Sequence, residues 1–207
     1  LFLALSGKEV LVEDKLFSTL ETTVGRMEMS PRILLADTIG FIDELPSDLL
    51  DAFHATLDES LNCDLLLLLA DSGDEVSELQ RKLSTSRREV LDRSDEDGIR
   101  MKVVLTKSDK GGDIEAAQEV VRMMGMEDAM VISSHNGEGL QELREAIMFS
   151  LYGPKTTLIV SEGTPDERNA ESLISQIYDI GIVTQKEDLE LTLWCCLLYT
   201  SPSPRDS

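Results

Sequence analysis

The feature that most constrains the fold is an alternation. Short, almost purely apolar runs take turns with stretches whose apolar residues recur every three or four positions. Ile33–Ala36 is followed by Leu50, Phe53, Leu57 and Leu61, spaced for one helix face, and DLLLLLAD (Asp64 to Asp71) by Val76, Leu79 and Leu83. MKVVL (Met101 to Leu105) precedes Ile114, Ala117, Val121 and Met124, closed by Gly125, and AMVISS (Ala129 to Ser134) precedes Leu140, Leu143, Ile147 and Leu151. The runs read as buried strands and the segments between them as amphipathic helices. This order predicts an α/β fold: a mostly parallel sheet with helices on both faces. Right-handed crossovers gather the carboxyl ends of such strands on one edge, where ligands bind. Functional residues are therefore expected directly after the strands.

Three strand ends carry such residues. Asp37-Thr38-Ile39-Gly40 pairs a carboxylate that can hold a hydrated Mg²⁺ with a glycine whose amide can approach a γ-phosphate. In Thr106-Lys107-Ser108-Asp109, the aspartate can accept from two adjacent N–H groups, which guanine offers and adenine lacks, while the lysine stem can lie along the base. In Ser133-Ser134-His135 a backbone amide can bind the guanine carbonyl oxygen. Each stretch alone reads better as an ordinary polar turn. Taken in order, at the ends of successive buried strands, they form a coherent guanine-nucleotide site.

The same residues carry a family resemblance. KLFSTLETT (Lys15–Thr23), LADTIGFIDELP (Leu35–Pro46), LLDAFHATLDES (Leu49–Ser60) and the TKSD box make the chain similar to the HflX family of GTPases from Leu1 to about Trp194. The resemblance implies that Thr19, within Phe17-Ser18-Thr19-Leu20-Glu21, closes over Mg²⁺ and the γ-phosphate, with Asp37 as its partner at the metal. It implies that Asp37 and Gly40 belong to a second switch, Lys107 and Asp109 to the base-specificity box, and Ser133 to His135 to the loop clamping the base. Thr106 stands where asparagine is usual, and Ser134 where alanine is commoner. Phe41 occupies the place where Ras-like enzymes carry a water-orienting glutamine. Slow basal hydrolysis with partner stimulation is what the resemblance implies. GTP, GDP and Mg²⁺ are the implied ligands. The large ribosomal subunit is the implied partner, with ribosome splitting or rescue as the implied action. A non-catalytic interaction module on the same scaffold is the alternative. A related GTPase of rRNA maturation is another, disfavoured by LFSTLETT and DTIGFIDELP.

No G-x-x-x-x-G-K-[ST] occurs in the chain, and in the family that loop directly precedes the Leu-Phe with which this sequence opens. The expectation is an amino-terminally truncated GTPase domain (1–152) without its first strand and phosphate-binding loop, itself binding GTP poorly. Gly153-Pro154 ends the last helix of that domain. Beyond it TTLIV, a helix through Leu173, Ile177 and Ile180, and LELTL predict a small βαβ domain (153–196). Residues 197–207, rich in Ser and Pro, are expected to be a non-native or disordered tail.

Forty acidic residues against 19 basic ones give a net charge of −21, a surface that repels bare nucleic acid and argues against DNA as a ligand. Apolar runs such as Leu65 to Ala70 are far too short to span a membrane. Cys63, Cys195 and Cys196 show neither disulfide nor metal spacing, and Cys63, just before a buried strand, is expected in the core. A cytoplasmic monomer is the resulting expectation.

Overall fold

A computed structural model describes residues 1–7, 23–28, 33–38, 58, 61–93, 99–160 and 170–195. Its centre is a three-stranded parallel sheet of β3 (Leu66–Asp71), β4 (Met101–Thr106) and β5 (Met130–Val131), in the order β3-β4-β5. Leu66 lies opposite Met101 and Asp71 opposite Thr106, so the two polar residues close adjacent strands at one level. Between them, β4 is buried on both faces, as parallel strands require. Val103 and Leu105 face a core shared with Leu68, Ala70, Leu79, Leu83 and Val121, which brings in α2 (Val76–Arg93) and α3 (Ile114–Met123). Val104 faces the opposite core with Leu5, Ile132, Leu143 and Ile147, from α1 (Phe2–Ser6) and α4 (Leu140–Tyr152). A leucine fully buried this way contributes about 1.5–3 kcal/mol relative to exposure. Leu79 and Leu83 of α2, Ala117 and Val121 of α3, and Leu143 and Ile147 of α4 pack as predicted, whereas Val76, at the start of α2, is exposed.

A separate antiparallel hairpin of β1 (Thr23–Glu28) and β2 (Ile33–Asp37) joins the second core through Met27 and Ile33. Among the described residues β2 pairs only with β1, and β3 only with β4, leaving one edge of each free. Of the helix expected through Leu50, Phe53, Leu57 and Leu61, only Asp58 and Leu61 lie within the described residues; both are helical and Leu61 is buried.

The carboxyl-terminal unit departs from the expected βαβ form. It contains β6 (Thr156–Ile159), α5 (Ala170–Ile180), β7 (Gly181–Glu187) and β8 (Glu190–Cys195), an entirely antiparallel sheet of order β6-β8-β7. The additional strand is GIVTQKE. A bulge between Val183 and Gln185 breaks its alternation, and its last four residues are exposed, so it has no apolar period to read. Leu191 and Leu193 pack with Val160 and Ile174 beneath α5. Trp194 points the other way and is buried in the core of α1 and α4. Lys155 sits over its ring, 5.4 Å from the centroid, and pairs with Glu145 of α4 at 3.4 Å.

Two smaller expectations are corrected. Cys63 is exposed, because the bend at Asn62–Asp64 ends before the sheet is entered. The strand expected over AMVISS pairs only at Met130 and Val131, since Ser133 already turns the chain. The expected tail 197–207 lies outside the described residues.

Candidate guanine-nucleotide site

The rim at the ends of β4 and β5 is assembled from two loops. Thr106 closes β4, and its hydroxyl donates to the Ala70 carbonyl at 3.0 Å, tying β4 to β3. At the position where asparagine is usual in the family, the threonine thus makes one strand-tying bond. Lys107 then turns left-handed (φ 63°), and Ser108–Lys110 form a single 3₁₀ turn that presents Asp109. A non-glycine residue in that region is uncommon and needs support from its surroundings.

The second loop supplies much of that support. Ser133 is fully buried, and its hydroxyl donates to Asp109 Oδ1 at 2.5 Å. The same oxygen accepts from the amides of His135 (3.2 Å) and Asn136 (3.3 Å), so the hydroxyl is satisfied in every direction. The Ser108 amide donates to the Ile132 carbonyl at 3.2 Å, and the Ser108 hydroxyl to Glu138 Oε2 at 3.1 Å. The loop's return into α4 requires Gly139. Its φ is 69°, and a Cβ there would lie 2.2 Å from the Val131 carbonyl oxygen.

Two consequences bear on binding. The Ser133 hydroxyl is the chief influence on Asp109 and holds its carboxyl below the usual carboxylate range, with His135 and Lys110 adding attraction against the cost of desolvation. Asp109 Oδ2 lies 3.8 Å from Nδ1 of the exposed His135 and is open to a further donor. The Ser134 amide, at the exposed tip, donates to no acceptor among the described residues. An ionised carboxylate beside a free N–H is complementary to guanine, whose adjacent N–H donors lie next to a carbonyl oxygen.

The structure thus brings together Thr106, Lys107, Ser108 and Asp109 with Ser133, Ser134 and His135. Asp37 and Thr38 are partly buried at the end of β2, and among the described residues no hydrogen bond or ion pair joins either of them to this rim. Phe17, Ser18, Thr19, Leu20, Glu21, Ile39, Gly40 and Phe41 lie outside the described residues. Asp71 and Glu138 escaped the sequence reading. Asp71 ends an apolar run like any turn-forming aspartate, and Glu138 sits in a Gly-Glu-Gly stretch whose only visible signal was the turn. Among the described residues no group of three or more His, Cys, Asp or Glu is placed to hold a metal ion, and no helix is long and apolar enough to cross a membrane.

A parallel sheet of this order flanked by helices is an α/β fold, and the candidate rim lies at the carboxyl ends of its strands. Comparison with known proteins reaches the same class. Residues 1–107 match the family described as 50S ribosome-binding GTPase, and the chain belongs to that family. Within it the similarity is to proteins named GTPase HflX, as the sequence motifs had suggested. The one from Gluconacetobacter diazotrophicus is 35% identical over 188 residues, covering 89% of this chain and 39% of that protein. The one from Magnetococcus marinus is 36% identical over 169 residues, covering 79% of this chain and 38% of that protein. The chain therefore spans about two fifths of the length of these curated relatives. Among solved structures, a GTP-binding protein from the archaeon Sulfolobus solfataricus in complex with GDP superposes with a TM-score of 0.59 at 26% identity, over 72% of this chain and 47% of that one. Era from Aquifex aeolicus superposes with a TM-score of 0.59 over 81% of this chain and 54% of that one; at 21% identity this likeness concerns the fold alone.

Proposed function

We propose that the protein carrying this chain binds GTP and GDP at the rim formed by residues 106–109 and 133–135, hydrolyses GTP, and acts on the large ribosomal subunit, as a monomer in the cytoplasm, by splitting or rescuing ribosomes. The observation that carries the guanine reading is the Ser133–Asp109 hydrogen bond. It holds the carboxylate ionised near the Ser134 amide, which has no acceptor among the described residues. Ribosome action rests on the family's description as 50S ribosome-binding GTPase.

Hydrolysis needs parts beyond this rim. Thr19 and Asp37 offer the hydroxyl and carboxylate oxygens that Mg²⁺ prefers, and such an ion would neutralise phosphate charge. Gly40 is assigned to the γ-phosphate. The 207 residues contain no phosphate-binding loop motif, so this chain by itself is expected to bind guanine nucleotides weakly, with micromolar affinity contradicting that expectation. The free edges of β2 and β3 are suited to receive a further strand, and the small carboxyl-terminal unit is read as a second domain (153–196).

The decisive experiment is Asp109→Asn in the full-length protein. An amide in place of the carboxylate offers a donor as well as an acceptor, so preference is expected to move from guanine toward xanthine nucleotides. Competition binding with GDP and XDP measures it, and an unchanged preference would remove Asp109 from its role. Separately, sedimentation of ribosomes with GTP-loaded protein tests the partner: no change in the subunit profile would leave a GTPase without this action.

A further inference from the structure

We propose that Asp71, at the end of β3, is a positioning residue for guanine-nucleotide binding: it anchors the Lys107 ammonium so that the lysine's methylene stem is held ready along the plane of the base. This rests on the functional reading above and extends it to a residue outside both base-contacting loops.

The geometry is specific. Asp71 Oδ2 lies 2.6 Å from Lys107 Nζ, while Oδ1 accepts from the Gly73 amide at 3.0 Å. One carboxylate thus grips the lysine with one oxygen and its own turn with the other. Desolvation works to raise the carboxyl, but the bonds from Lys107 and Gly73 outweigh it, and it stays ionised below its usual range. The turn is in turn fastened to the specificity loop. The Ser72 amide donates to the Thr106 carbonyl at 2.9 Å, and Thr106 returns a bond to Ala70. Gly112, just past the loop, presses on the Ser72 carbonyl so closely that a Cβ would lie 2.1 Å from its oxygen. The loop after β3 is therefore a fixed platform against which the loop after β4 is set.

Lys107 needs such a platform. Its left-handed backbone is one that L-residues rarely adopt, and its long side chain would otherwise sample many rotamers. A base that meets a wandering lysine must order it on binding; one that meets an anchored lysine need not. Lys110 is the other cation acting on Asp71, but only the Lys107 ammonium is hydrogen-bonded to it.

The plain alternative is a surface ion pair contributing a little stability. Lys107 is 51% exposed and Asp71 32%, and pairs this open contribute little to folding. The two readings part at this point. A positioning role predicts a large effect on nucleotide affinity with almost none on the melting midpoint.

The test is a double-mutant cycle in the full-length protein, read by binding of a fluorescent GDP analogue. Asp71→Asn is expected to weaken binding about tenfold with the melting midpoint unchanged, and Asp71→Glu to recover part of the loss. In a Lys107→Ala background, Asp71→Asn is expected to change affinity less than twofold. Equal losses in both backgrounds, or no loss with Lys107 present, would overturn the role. A parent protein that binds no guanine nucleotide would bring down the functional reading and this role together. A second readout needs no nucleotide: acylation of Lys107 by a succinimidyl ester in the 207-residue chain, followed by mass spectrometry against Lys110. Asp71→Asn is expected to speed modification of Lys107 several-fold relative to Lys110, and an unchanged ratio would overturn the anchor.

Discussion

The parallel sheet and the carboxyl-terminal antiparallel sheet bury leucines equally well but use their remaining surface differently. Leu105 in β4 and Leu191 in β8 are both fully buried. In the parallel sheet helices cover both faces, so every polar group with work to do is driven to the strand ends, where Thr106, Asp109, Ser133 and Asp71 collect. In the antiparallel sheet α5 covers one face, and the other carries Glu190, Thr157 and Thr192 along its length. Its polar residues are spread rather than concentrated, and Trp194, with Ile182 beside it, links it to the main core. Covering both faces of a sheet concentrates chemistry at its rim; covering one disperses it.

The sharpest way to break this comparison is Trp194→Ala. If the second sheet is fastened through that ring, the substitution leaves a cavity in the shared core and is expected to cost about 3–5 kcal/mol, measured by chemical denaturation. A loss under about 1 kcal/mol would mean that the two sheets are energetically separate lobes.

Ser133→Ala probes the rim itself. It removes the hydroxyl that holds Asp109 below its ordinary range, so the carboxyl should rise. The ionised form binds guanine, and binding is lost as pH falls through the folded value. The parent is therefore expected to keep its GDP affinity on moderate acidification. In Ser133→Ala, which also binds more weakly overall, the decline should begin at a higher pH. Fluorescence titrations from pH 7.5 downward check the order of the two acid limbs, and coincident limbs would exclude the hydroxyl as the cause.

The smallest expected effect lies next to Asp71. Ser72 is buried, and its hydroxyl finds no hydrogen-bond partner among the described residues. Ser72→Ala should then raise stability by about 1 kcal/mol, seen as a higher melting midpoint with unchanged nucleotide affinity. A loss of stability would show that the hydroxyl is satisfied after all.

Legibility followed the same division between the sheets. β3 and β4 were plain because five consecutive leucines and Val-Val-Leu leave no other use for such residues. Lys107 and Asp109 were legible because the chemistry of guanine asks for that pair after that strand. β7 was hidden, since GIVTQKE carries a bulge and four exposed residues. Cys63 was misjudged because proximity in sequence to a buried strand says nothing about which side of a bend a residue occupies.

By itself the sequence determined the α/β class and the succession of strand ends, because periodicity and residue chemistry are local properties. Tertiary structure alone decided that Ser133 clamps Asp109 across 24 residues and that Asp71 holds Lys107 across 36. It also decided that Trp194 sits in the core of α1 and α4. Those pairings depend on how strands are laid side by side, and neighbours across a sheet leave no mark on the spacing of either partner along the chain.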